Sequence, residues 1–381
     1  MIYLDEAATT KPKQEVIEAM MPYLTEQFYN PSALYSGANK VKKDIENAKK
    51  TIGDFINADS NDIYFTSGGS EANCWAIQGF INYCNRKGIE PTIITSVIEH
   101  KSILSCVDNM NIDVHYIGVD HKGFIDMVAL ENVLEYVTCN NKYSKTLVTI
   151  QHANNEIGTI QRVKDIANIV HKYNAVFHTD AVQSFGHVPI DVKELDVDMM
   201  SASGHKISAP KGIGFLYKKN EIKIDPLVYG SQMNGLRGGT ENVPYIMGMS
   251  RAVELVENVT KYQFRMNFLR SHFIEQLELL GCKINGSLIE RLYNNINVTF
   301  DQNIIGESLV YLLDMSEIMV STGSACNSKS IEPSYVLKAI GLSDEDAAKT
   351  IRITLPDNIT TDKIDKVISE LKKQMMLLTI D

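Results

Sequence analysis

The stretch "SASGHKISAPKGIGFLY" sets Ser203, His205 and Lys206 side by side after a short apolar run, walled in by small residues, prolines and glycines. A solvated surface lysine needs no such setting. A lysine confined away from water loses proton affinity, and its free amine becomes the nucleophile that Schiff-base chemistry requires. Upstream, "FHTDAVQSFG" places His178, Asp180 and Gln183 at the end of another apolar run. A buried aspartate needs a cation or hydrogen bonds, and a protonated pyridine nitrogen is one such cation. His-x-Asp also occurs in metal sites, but no complementary His or Cys cluster with ligand spacing accompanies it, so no metal is expected.

Three weaker signals share the same placement. "TSGGSEAN" puts Gly69 and Ser70 at a strand-to-helix junction, where open N–H groups attract phosphate and glycines permit close approach. Taken alone, it is equally a tight turn with an N-cap. His100 ends "IEH", and Asn155 lies in "HANNEIG"; singly, these read as a hydrogen-bonded histidine and an Asx turn. In order, the set can anchor a phosphate, cover a ring, hold a phenolic oxygen, keep a pyridine nitrogen protonated and offer an amine. Those are the requirements of a pyridoxal phosphate site.

The elements that must position these residues alternate. Residues 14–28 and 39–57 have helical apolar spacing. "IYFT", "TIITS", "DVHYI", "TLVTIQHA", "AVFHTD", "MMSASG" and "IGFLY" read as strands, and "SEANCWAIQGFINYC" and "VKDIANIVHKYN" as helices. The expected fold class is α/β, a mostly parallel sheet between helices, with ligands at the carboxyl ends of the strands. From about Val253 the pattern becomes a long helix followed by an α+β segment containing "RLYNNINVTF", "IMVSTGSAC" and "TIRITL". The domains expected are therefore a large one over residues 13–260 and a small one from 1–12 and 261–381.

The chain has 381 residues, 44% hydrophobic and 22% charged, which is ordinary for a globular protein. A formal net charge of -10 argues against a direct nucleic-acid partner. No apolar stretch approaches a membrane span, and "MIYLDEAATT" lacks the features of a signal peptide. The cysteines, with no C-x-x-C pair among them, read as reduced thiols of a cytoplasmic protein.

The motifs jointly resemble the cysteine desulfurases, in the class V aminotransferase branch of fold-type I pyridoxal phosphate enzymes. The likeness runs nearly end to end, through "YLDEAATTKP", "NPSALYSGA", "FTSGGSEAN", "IEHKSIL", "NNEIGTIQ", "HTDAVQSFGHVPIDV", "SGHKISAPKGIGFLY", "LRGGTENV" and "STGSACNSKSIEPSYVLKAIG". It implies that Lys206 binds pyridoxal 5'-phosphate covalently and that Asp180 pairs with the pyridine nitrogen. His100 would stack on the ring and assist proton transfer. Gln183 and Asn155 would bond the ring oxygen, while Gly69, Ser70, Ser203 and His205 would hold the phosphate. Thr240 would reach the phosphate of the neighbouring subunit of a homodimer. Arg352 would clamp the carboxylate of the substrate, L-cysteine, with Asn155 beside it. Cys326 would take the substrate's sulfur as a persulfide, leaving alanine, and pass it to a protein acceptor such as an iron–sulfur scaffold or a tRNA- or cofactor-thiolation enzyme. "SIEPSYVLKAIG" is similar to the family's long-loop type.

The chain also departs from the family's pattern. Glu6 replaces an asparagine, Ser70 a threonine and Tyr35 a histidine; Cys74 is new, "KISAPKG" differs from "KxxGPKG", and "ITLPDNIT" follows Arg352. The last change is expected to remodel the carboxylate pocket. The chain also ends without the tail by which housekeeping members engage a scaffold protein. A selenocysteine lyase or another β-lyase of the branch is the nearest enzymatic alternative. An inactive adaptor would have been expected to lose one of Lys206, Asp180, His100, Cys326 or Arg352, and all are present.

Overall fold

The computed structural model describes residues 1–140, 144–256, 259–301, 304–322 and 333–378. Strands are β1 (Ile2–Tyr3), β2 (Ile63–Thr66), β3 (Glu90–Ser96), β4 (Asp113–Ile117), β5 (Ser144–Thr149), β6 (Val176–Asp180), β7 (Met199–Ser203), β8 (Gly214–Lys218), β9 (Cys282–Ile284), β10 (Asn295–Phe300), β11 (Ile318–Met319) and β12 (Thr350–Thr354). Seven of them form one sheet in the order β2-β8-β7-β6-β5-β3-β4. Pairing is parallel from β4 through β7, and only β8 runs antiparallel to its neighbours. The mostly parallel α/β sheet expected from the alternating pattern is therefore present. Its strands are near-continuous apolar runs because helices cover both faces.

Periodicity located the elements better than their ends. The first helix spans Gln14–Thr25, and the second Ser36–Ile56, which starts before residue 39. The second stops where Asn57 turns left-handed, with Ala58 N–H donating back to the Gly53 carbonyl. "TLVTIQHA" leaves the sheet at Thr149, and among the described residues of "IMVSTGSAC" the strand is Ile318–Met319. The Gly69–Lys87 helix begins at Gly68 without a side-chain cap, so Ser70 sits in its first turn and is not its N-cap. Gly88 in the left-handed region closes that helix, with Arg86 and Lys87 in the last turn facing the negative end of its dipole.

The apolar interior has three main bodies. Two cover the faces of the large sheet, with Phe185 and Phe215 meeting edge to face at 5.1 Å in one and Trp75 and Phe80 in the other. The third joins the long Val259–Leu279 helix, the β12-β10-β9 sheet and the Thr361–Leu378 helix, and it also buries Ile2 and Leu4. The N-terminal segment is fixed there by β1–β11 pairing and by Thr354 N–H donating to the Leu4 carbonyl at 2.7 Å. It then crosses to the large sheet, where Thr10 bonds His205.

Phe215 is fully buried between packed rings. Phe215→Ala is expected to cost about 3–5 kcal/mol, read as a lower denaturation midpoint at unchanged m-value. A loss under about 1 kcal/mol would contradict the packing role given to that ring.

Candidate active site

The carboxyl ends of the parallel strands and the turn after β2 open into one cavity of about 310 Å³. Gly69, Ser70, His100, Asn155, Asp180, Gln183, Ser203, His205, Lys206 and Arg352 all line it. Residues spread over nearly 300 positions of sequence thus share one wall, because each follows a strand end or, for Arg352, lies on the neighbouring β12. Two expected site residues are not among them. Thr240 is exposed, outside the cavity lining. Cys326 lies outside the described residues.

Lys206 is buried on the short turn after β7. Its Nζ donates to the carbonyls of Ala7 and Ala8, the latter at 2.9 Å, so the crossing N-terminal segment supplies the acceptors. His187 Nε2 lies 3.0 Å from the Lys206 carbonyl and Nδ1 2.7 Å from Tyr293 Oη; Nε2 therefore carries the proton and donates to the carbonyl. Gln183 donates to the Ala7 carbonyl at 3.1 Å.

Asp180, at the end of β6, accepts from Asn73 Nδ2 at 2.7 Å and from Val182 N–H at 2.8 Å. The second hydrogen of the Asn73 amide goes to Ser102 Oγ at 2.9 Å, and Ser102 Oγ lies 2.8 Å from His100 Nδ1. His100 caps the Lys101–Asp108 helix, accepting the Ser102 N–H on Nδ1 at 3.1 Å. That lone pair is committed, so the neutral ring carries its proton on Nε2. Burial lowers the His100 pKa, and Lys206 lowers it further against the opposing pull of Asp180. His205 is lowered to about 4 by burial and by Lys206 and Lys211, so it meets a ligand as a neutral donor. Behind His100, burial lifts Glu99 to about 8 despite hydrogen bonds from Ser96 and the Gln151 N–H. His178, the other half of the His-x-Asp pair, is a core residue lodged between Thr149 and Ser201 hydroxyls. Among the described residues no His, Cys, Asp or Glu cluster could hold a metal.

The residues present fit a phosphorylated pyridine ring. No side chain caps the glycine turn, so the first N–H groups of the Gly69–Lys87 helix are left for a ligand. A Cβ on Gly69 would come within 2.4 Å of Val182, which leaves no room there for a larger residue. Two buried polar atoms at the wall, Asn73 Oδ1 and Arg352 Nε, have no hydrogen-bond partner among the described residues. Arg352 otherwise binds Asp5 at 2.7 Å and the Asn155 carbonyl at 3.1 Å.

Sequence reasoning missed Asn73, Ser102, Gln151 and the Ala7 and Ala8 carbonyls. Asn73 left a trace: it is a polar residue three positions after Ser70, on a face otherwise apolar. The carbonyls leave none, because every residue has one.

The family model described as aminotransferase class-V matches residues 2–367. Over 374 residues the chain is 44% identical to a protein of Methanosarcina thermophila named cysteine desulfurase IscS, covering 96% of this chain and 90% of that one. The chain belongs to the class-V aminotransferase family, and within it to the cysteine desulfurases. A Clostridium botulinum protein of the same name is 43% identical, with 98% of this chain and 94% of that one covered. The solved NifS-like protein from Rickettsia africae superposes with a TM-score of 0.87 at 31% identity, covering 98% and 99% of the two chains. A structure described as SspA in complex with cysteine gives 0.81 at 35% identity, covering 94% and 100%. The family expected from the motifs is thus the family found.

Two departures from the family's pattern meet, but not where the sequence suggested. Leu355 and Asp357 do not line the cavity that holds Arg352. They line a second cavity of about 240 Å³ on another side of Lys206, together with Glu6. Burial, then the charges of Asp357 and Asp5, lift Glu6 to about 7. A carboxyl raised on folding binds its proton more tightly in the native state, so stability falls as pH rises from the ordinary 4.5 to about 7. Glu6→Asn should flatten that decline. Between about pH 4.5 and about pH 8 the wild type should lose roughly 1–3 kcal/mol more than the variant, after allowing for partial exposure. Parallel pH profiles in urea melts would refute this.

Proposed function

We propose that this chain is a pyridoxal phosphate-dependent cysteine desulfurase that moves sulfur from L-cysteine to Cys326 and then to a protein acceptor. The observation that carries the reading is the convergence of ten residues, each expected for its own reason, on one cavity. The relatives' name and the neighbour described with cysteine support the substrate. The cofactor, when bound, supplies an electron sink that weakens bonds at the substrate's α- and β-carbons.

The chain's own residues do the rest. Lys206 presents its amine from a buried turn, with Ala7 and Ala8 holding Nζ on one bearing. Asp180, kept in place by Asn73 and Val182, would hold a positive charge at the ring nitrogen. The Gly69–Ser70 turn, Ser203 and the neutral His205 would hold the phosphate. His100 would cover the ring, with Nε2 available for protons, and Gln183 and Asn155 would hold the ring oxygen. Thr240, exposed on this subunit, serves the cavity of a second copy.

Arg352 takes the substrate carboxylate through its unpartnered Nε and shares its fork with Asp5. The chain on the C-terminal side of Cys326 is fastened beside this site: Ser334 donates to Glu156, and Tyr335 Oη donates to the Glu99 carbonyl at 2.6 Å. The Cys326 thiolate attacks the substrate sulfur as the Cβ–S bond breaks. L-cysteine and the thiol become L-alanine and the Cys326 persulfide, so atoms balance. Among the described residues no helix is long and apolar enough to cross a membrane.

Single-turnover alanine formation from L-cysteine without reductant tests the reading. Wild type should yield alanine and a matching persulfide, and Cys326→Ser neither. Equal alanine from both would move the assignment to another β-lyase of the family. Lys206→Ala should lose the visible band of the covalently bound cofactor; a retained band would remove Lys206 from its role. Arg352→Lys should raise KM for cysteine by about tenfold or more while that band stays unchanged, because a lysine cannot reproduce the bidentate fork. An unaltered KM would place the carboxylate elsewhere.

A further inference from the structure

We propose that Cys74 and Cys106 form a redox-active dithiol, which small disulfides oxidise to a cross-link between the two helices framing the cofactor cavity. The Gly69–Lys87 helix, which carries Cys74, packs on the Lys101–Asp108 helix, which carries Cys106. Cys74 Sγ donates to the Ser102 carbonyl at 3.6 Å. Cys106 lies one helical turn beyond Ser102, on the same side of that helix. The two side chains perturb each other's titration. Both thiols are partly exposed, whereas Cys84 and Cys282 are buried and Cys139 is exposed on another helix.

The pair is electrostatically unequal. The neighbouring Cys106 side chain lowers Cys74 to about 7, and Cys74, with burial, pushes Cys106 up. Burial lifts Cys84 to about 11 and Cys282 to about 12. Cys74 is thus the attacking sulfur and Cys106 the resolving one. The Cys74 thiolate attacks a small disulfide RSSR, forming a mixed disulfide and releasing RS⁻. Cys106 sulfur, losing its proton, then displaces the second RS⁻. Two protein thiols and RSSR become one protein disulfide and two RSH, so electrons and protons balance. Cys74 directly follows Asn73, which joins Asp180 to Ser102, and the Cys106 helix is capped by His100. The cross-link would therefore stitch together the two elements that bear the phosphate turn and His100.

The test uses holoenzyme carrying Cys326→Ser, so that cysteine cannot compete, incubated with 2-hydroxyethyl disulfide, quenched by alkylation and peptide-mapped by mass spectrometry. The expected map shows Cys74 linked to Cys106 in most molecules, reversed by a phosphine, with Cys139 carrying only the mixed disulfide. Adding Cys106→Ser should leave the hydroxyethylthio adduct on Cys74, the step frozen before resolution. The proposal is overturned if Cys74 and Cys106 are recovered separately alkylated, if Cys74 keeps an adduct while Cys106 is present, or if Cys74 reacts no faster than Cys84. Should the Cys106 variant fail to fold, the map of the parent protein decides alone.

Discussion

Taking the Lys206 amine out of water is the constraint on which the rest depends. A buried lysine needs acceptors, and here they are the carbonyls of Ala7 and Ala8. Those carbonyls arrive because the N-terminal segment leaves the smaller body's core at Leu4, where β1–β11 pairing holds it, and crosses to bond Thr10 with His205. Asp5 on the same segment grips Arg352 at 2.7 Å. One strap thus sets the positions of the Lys206 amine and the Arg352 guanidinium together, coupling the two bodies at the cavity.

Around that amine, burial outweighs hydrogen bonding in setting charge. His100, His205 and His152 are driven toward neutrality by desolvation. Glu99, raised to about 8, and Glu156, raised to about 7, are driven toward their protonated forms. With His100 and His205 neutral in its lining, the cavity leaves the strong charges to Asp180, Lys206 and Arg352. It also fixes tautomers: the N–H that Ser102 gives to His100 Nδ1 leaves Nε2 as the ring's proton-bearing atom.

The departures show how local sequence misleads about place. Leu355–Asp357 follow Arg352 directly, and adjacency suggested that they shape the same pocket. β12 ends at Thr354, and the chain then turns toward Tyr262, whose hydroxyl binds Asp357 at 2.6 Å. Glu6 comes to the same cavity from the other end of the chain. Ser70 likewise invited an N-cap reading, which the Gly68 conformation supplanted.

What the sequence determined by itself was the chemistry and the sheet. Apolar runs at strand spacing are local, and so is the habit of placing reactive side chains just after them. Lys206, Asp180, His100, Gly69 and Ser203 could therefore be picked out, and their family named, without coordinates. What only tertiary structure decided was which groups answer one another. The carbonyls that hold Lys206, the Asn73–Ser102 bridge from Asp180 to His100 and the approach of Cys74 to the Ser102 carbonyl depend on helix and strap packing. Such contacts join residues far apart in the chain through atoms that every residue carries or through single polar side chains, and neither leaves a periodic mark in sequence.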